Sequence, residues 1–130
     1  DCAADYRDLD RVYLPQDWLS AEGSSVADLT APASTPGLRR VLDLCLDRTA
    51  GLIDRARPLA ARLRSTRLAL ESAVIVGVAE HLEQALRRGD PLAERVQLSK
   101  PGFLLAALSG SFRHALLPRL GLSPALERAR

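Results

Sequence analysis

The sequence predicts an all-α protein, and three observations carry that expectation. Leu, Ala and Arg dominate, while aromatic residues make up 4% and Met is absent, so strong helix formers fill most positions. Apolar residues recur at steps of three and four over long stretches, as one face of a helix requires. Between those stretches stand clusters of Pro, Gly, Ser and Thr, the residues that break helices and make turns. A length of 130 residues suits one domain or one piece of a larger one.

Taken in order, the first helix is expected to close near Leu9 or Asp10, because Pro15 pushes Leu14 out of helical geometry. Pro15 then suits the start of a short helix through Ala21, stopped at Gly23 and carrying Trp18 and Leu19 as its apolar members. Ser24 or Ser25 is placed to cap a turn over Val26 to Leu29. Residues 30–37, TAPASTPG, read as a linker, with Thr35 and Pro36 as N-cap and first residue of a helix reaching Arg57. Its expected buried stripe is Leu38, Val41, Leu42, Cys45, Thr49, Leu52, Ile53 and Ala56, with the acids and arginines between them in water.

Pro58 breaks or kinks that helix, with Leu59 to Leu63 as a further turn or two. Ser65 or Thr66 caps a long one to about Arg88, whose middle, Ala73 to Ala79, is apolar on every side and is expected in the core. Gly77 there costs about 1 kcal/mol of helix propensity against Ala, which implies close packing by a backbone or a ligand. Gly89 suits the residue just past the helix, and Asp90 with Pro91 starts a turn. Ser99 and Pro101 open a last helix to about Leu116, with Phe103, Leu104, Ala107, Leu108 and Phe112 as its apolar face. Pro118 should end it, leaving 1–116 as the helical portion and 117–130 as a loose tail. His81 and His114 read as isolated surface or helix-end histidines.

The chemistry concentrates at the front, in DCAADYRDLDRVYLP. Asp1 and Asp5 stand one helical turn apart on one face. Two carboxylates so placed repel unless a cation lies between them. Mg²⁺ is commonly held by one or two carboxylates together with phosphate oxygens and water. Asp8 adds a third acid near that face, and Arg7 and Arg11 are positioned to meet phosphate. Acid-rich helix ends that are simply solvated have the same spacing, so spacing alone leaves both readings open.

A formal charge of +2, with acids and bases mixed along the chain, gives no footprint for nucleic acid. Cys2 and Cys45 have no zinc spacing and read as reduced thiols of a cytoplasmic protein. No apolar run reaches the ~18 residues of a membrane span.

The opening string, with Asp1, Asp5, Arg11, Val12, Tyr13, Leu14 and Pro15 in their places, resembles the second aspartate-rich motif of the squalene and phytoene synthase family. Its form looks most like the bacterial hydroxysqualene synthase branch of hopanoid synthesis. The later QLSKPGFLLAAL resembles that family's entry to its final helix. The resemblance implies the C-terminal part of an isoprenoid-synthase-type helical bundle. It implies Asp1 and Asp5 as catalytic Mg²⁺ ligands, with Arg11 and Tyr13 near the diphosphate of presqualene or farnesyl diphosphate. Ala73 to Ala79 would then line part of an apolar wall around the carbocation.

The family's first aspartate-rich motif is missing from residues 16–130, and Asp43 with Asp47 reads as a solvated pair. A fragment lacking its N-terminal half, with little turnover alone, is therefore expected. The alternative is a non-catalytic helical interaction module of the same family. A third option is peripheral attachment to the inner membrane face through Phe103, Leu104 and Phe112.

Overall fold

The computed structural model describes residues 2–121 and is all-α, with no strand among the described residues. In chain order come α1 (Cys2–Leu9), α2 (Gln16–Ala21), a 3₁₀ turn (Val26–Thr30) and α3 (Pro36–Ala56). Then follow α4 (Leu59–Arg62), α5 (Thr66–Arg88), α6 (Lys100–Gly110), a π-helical segment (Ser111–Leu116) and α7 (Leu117–Arg119). The chain forms two compact units, the first from residues 1–52 and 82–98, the second from 53–81 and 99–130. The division falls inside α3 and inside α5.

The core of the first unit is Leu19, Leu29, Leu38 and Val41, all at most 2% exposed. Cys2 and Tyr6, one turn apart, dock α1 on it, and Val12, Leu14 and Trp18 pack around it. Side-chain hydrogen bonds fix the irregular segments. Asp28 accepts from the Ser24 hydroxyl at 2.6 Å, the Ser25 amide at 3.2 Å and the Thr35 hydroxyl at 3.3 Å. Those bonds, the Ser24 hydroxyl first, hold its carboxyl below the usual carboxylate range. Asp90 ties the linker to the turn after α5, accepting from the Ser34 amide (2.8 Å) and hydroxyl (2.6 Å) and from the Leu92 amide (3.0 Å). Burial opposes the charge on Asp90, but the Ser34 bonds outweigh it and its pKa is lowered.

Three expectations are corrected here. On α3 the buried face passes through Leu46 and Ile53, while Thr49 is exposed and Leu52 is 62% exposed. The true stripe runs through 46, 50 and 53, and Thr49 satisfies its hydroxyl on the Cys45 carbonyl at 2.9 Å. Gly89 stands just past α5 as expected, its amide on the Ala85 carbonyl at 2.9 Å, but without left-handed backbone, since the glycines with positive φ among the described residues are Gly23 and Gly121. The Arg39 guanidinium closes α5 instead, donating to the carbonyls of Leu86 (3.2 Å), Arg87 (3.2 Å) and Gly89 (2.8 Å). A cation on the last carbonyls of a helix satisfies acceptors that have no partner in the helix and matches its negative end.

The other two corrections concern the second unit. Of the apolar run in α5, Ala73, Val76 and Gly77 are buried but Ile75 is 68% exposed. Pro118 does not end the last helix, which continues as α7 and turns at Gly121 (φ 71). The wider π turn before it relieves the clash of a proline ring with the carbonyl four residues back, and proline asks for no acceptor. Residues 122–130, most of the expected loose tail over 117–130, lie outside the described residues.

Gly77 answers to a backbone. A Cβ there would lie 2.5 Å from the Ala106 carbonyl oxygen and 2.7 Å from Gly110 Cα, and one on Gly110 would lie 2.9 Å from Gly77 Cα. Helices α5 and α6 meet with no side chain between them. Gly51, in α3, has nothing within 4 Å of its would-be Cβ. Two glycines in helices should therefore respond oppositely to alanine. Gly77→Ala is expected to lose about 1–3 kcal/mol from overpacking, more than the ~1 kcal/mol that propensity returns. Gly51→Ala should gain up to ~1 kcal/mol. Urea unfolding midpoints measure both, and a stabilised Gly77→Ala would disprove the close crossing.

Candidate functional site

The acidic motif sits at the end of α1. Asp10 takes left-handed backbone (φ 51), which Asp and Asn adopt more readily than other side chains. Its amide bonds the Tyr6 carbonyl at 3.0 Å, and the Arg11 amide then bonds the Asp5 carbonyl at 3.1 Å. The reversal at Asp10 thus folds Arg11 back onto the turn that carries Asp5. Asp5 is half-buried, and Arg11 is exposed. Among the described residues the Asp5 carboxylate has no hydrogen-bond or ion-pair partner. Tyr13 points outward at 69% exposure, so the motif's Asp5 and Arg11 are adjacent through the backbone while Tyr13 is held apart from the first unit's core.

Asp1 lies outside the described residues. Asp8 is turned to Arg7 at 3.6 Å, both well exposed, a surface pair of little worth. No group of three or more potential ligands gathers among the described residues. Asp5 offers a hard carboxylate oxygen, the donor type Mg²⁺ takes, and the Arg11 backbone folds back onto the same helical turn. Asp43 and Asp47, which share the four-residue spacing, are spent on arginines: Arg39 reaches Asp43 at 2.6 Å and Arg87 reaches Asp47 at 2.9 Å.

The second unit holds a polar cluster that was not anticipated. Glu80 on α5 is 6% exposed and His114, in the π-helical segment, likewise 6%. Arg57 Nε donates to Glu80 at 2.6 Å, His114 Nε2 lies 3.4 Å away, and Arg113 approaches at 3.6 Å. Arg57 also pairs with Asp54 at 2.5 Å. The isolated reading of His114 is therefore wrong: the π turn carries it inward onto a carboxylate. His81 is half-buried within α5 and bonds the Gly77 carbonyl of its own helix at 2.9 Å. One signal for the cluster was present in the sequence. Glu80 follows Val76 and Gly77 by four and three residues, on the face that buries Ala69 and Ala73.

With the fold and the motif in view, the comparisons assign the class. The profile of the squalene/phytoene synthase family matches residues 1–102, and the chain belongs to that family. Among its relatives is the hydroxysqualene synthase of Rhodopseudomonas palustris, 40% identical over 124 residues, covering 95% of this chain and 42% of the relative. The hydroxysqualene synthase of Zymomonas mobilis is 36% identical over 77% of the chain and 34% of the relative. That of Sinorhizobium fredii is 35% identical over 81% and 36%. The chain thus spans between about a third and two fifths of the length of the curated relatives it matches. No solved structure matches it. No described helix is long and apolar enough to cross a membrane.

Burial disfavours the ionised form of Glu80, but the bonds from Arg57 and His114 outweigh it and its pKa is lowered below the ordinary 4.5. A carboxylate whose folded pKa is depressed stabilises the fold above its unfolded pKa and loses that contribution as pH falls through the folded value. Stability should therefore decline as the pH drops below about 4.5. Glu80→Gln should lower stability at pH 7 by about 1.5–3 kcal/mol, the usual worth of a charged hydrogen bond. It should also flatten the acid limb. Urea midpoints between pH 3 and 7 measure this, and an acid limb that persists unchanged in the variant would refute it.

Proposed function

We propose that the chain is part of a Mg²⁺-dependent isoprenoid diphosphate synthase of the hydroxysqualene kind. It carries one of the two aspartate-rich motifs expected of such an enzyme. The observation that supports this most is the Asp5–Arg11 turn, an acid without a partner among the described residues beside a backbone-tethered arginine. It lies in a chain 40% identical to a hydroxysqualene synthase.

In this reading Asp1 and Asp5 would hold Mg²⁺, which would supply Lewis-acid stabilisation of the departing diphosphate. Arg11 neutralises phosphate oxygens as the C–O bond of presqualene diphosphate breaks. Tyr13 stands at the diphosphate end. The rearranged cation is captured by water to give hydroxysqualene for hopanoid synthesis, and apolar helix faces keep other nucleophiles away until then. Farnesyl diphosphate is the substrate if the enzyme performs the preceding condensation. Alone, the 130-residue chain has only one of the acidic motifs and does not turn over.

A second reading, a helical interaction module without catalysis, draws on the absence of a ligand group among the described residues. One experiment separates the two. Mg²⁺ with inorganic pyrophosphate should raise the melting temperature of the chain, since a ligand that binds only the folded state stabilises it. Asp5→Asn should remove most of that shift. No shift at saturating ligand favours the module. Hydroxysqualene formed by the chain alone from presqualene diphosphate would overturn the claim that it needs the rest of the fold.

A further inference from the structure

Two neighbours on the chain compete for one carboxylate oxygen inside the second unit. Glu80 Oε1 is taken by Arg57 Nε at 2.6 Å. Its Oε2 meets His114 Nε2 at 3.4 Å and an Arg113 guanidinium nitrogen at 3.6 Å. Neither reaches the about 2.7–2.9 Å of a charge-assisted bond. The π-helical segment explains how consecutive residues arrive at the same place. The Leu117 amide donates to the Phe112 carbonyl, five residues back. A turn that wide spreads neighbouring side chains less than an α turn does, so His114 and Ala115 are both buried, with Arg113 at their border. We propose that Arg113 and His114 exchange on Glu80 as His114 gains or loses its proton. Protonated His114 takes Oε2 and releases Arg113 to water; neutral His114 yields Oε2 to Arg113.

Charge decides the direction. Among the described residues the charged groups around His114 are Asp54 of α3, Arg57 just after it, Glu80 of α5 and Arg113. Arg62 of α4 and Lys100 of α6, helices that also pack on the π-helical segment, are exposed. His81 turns to the Gly77 carbonyl of its own helix. Two acids balance two arginines while His114 is neutral. A proton on His114 adds a third cation, and burying an unpaired charge is costly. Arg57 is held twice, by Glu80 at 2.6 Å and by Asp54 at 2.5 Å. The Arg113 side chain is 58% exposed, so Arg113 is the cation that leaves. Once charged, the imidazole also donates the stronger bond. Histidine is the side chain that ordinarily changes charge between pH 5 and 8. Glu80 stays ionised over that range, since against its burial the bonds from Arg57 and His114 hold its pKa below the ordinary 4.5. The exchange involves the second unit alone and is independent of the catalytic reading.

The pH dependence of one substitution tests it. At pH 8 Arg113→Gln should lower the folding equilibrium constant of the chain roughly three- to tenfold, as loss of a charged bond with a mostly exposed donor would. At pH 5 that loss should vanish, because protonated His114 already holds Oε2. In a His114→Gln background the loss should be the same at both pH values. If that background does not fold, His81→Gln takes its place, and there the pH dependence must persist. Urea midpoints measure each. Four results would overturn the proposal: an Arg113→Gln loss equal at pH 5 and 8, a loss larger at pH 5, pH dependence that survives His114→Gln, or pH dependence that disappears with His81→Gln.

Discussion

Two helices meet backbone to backbone at Gly77 and Gly110, and much of the second unit follows from that contact. The crossing tolerates no side chain, so the inward faces of α5 and α6 are built from Ala69, Ala73, Ala106 and Gly110. Small residues bury little apolar area each. The unit's larger side chains are left to the outside, where Ile75, Leu104, Leu108 and Phe112 stay more than half exposed. A close crossing gains van der Waals contact and loses hydrophobic burial on its own side. The balance has to be restored on the other face.

The same crossing explains why a charged cluster can sit inside. One turn beyond Gly77 on the buried face comes Glu80, and four residues beyond Gly110 comes His114. Both are carried into the interior by faces chosen for close approach. A buried carboxylate is costly unless it is paired and fully hydrogen-bonded, and here Arg57 supplies the short bond while His114 and Arg113 complete the surround. Among the described residues no buried side-chain nitrogen or oxygen lacks a partner. The π-helical register shifts the last helix enough to bring His114 inward and to admit Pro118 without a break.

Much of this was legible in the residues, for identifiable reasons. Helix starts at Thr35–Pro36 and Ser99 were readable because a hydroxyl on the third amide is a local bond: Leu38 donates to Thr35 at 3.2 Å and Gly102 to Ser99 at 3.1 Å. The end of the first helix near Leu9 was readable too, because a proline disfavours helical geometry at the residue before it. What escaped were bonds between residues far apart in sequence. Arg39 closing α5 involves partners 47 to 50 positions away, and no local pattern marks one arginine among seventeen. Glu80 stands among the charged residues that close α5, and a string of charged letters hides the one that falls on the buried face.

The front motif shows the complementary case, in which local structure was clear and chemistry was not determined by it. An aspartate at the end of a helix is stable as a solvated group, as a cap or as half of a metal site. Asp10 became the cap, adopting the left-handed turn that a longer side chain would resist. Asp8 became a solvent-exposed partner of Arg7, and Asp43 and Asp47 were taken by Arg39 and Arg87. Of the acids in or just after α1, Asp5 is left half-buried with no partner among the described residues. Arginine outnumbers lysine seventeen to one in this chain and readily pairs with acids in rigid, forked geometry. In the proposed function, Asp5, on a turn whose carbonyl already anchors the next arginine, is the carboxylate that would serve an external cation.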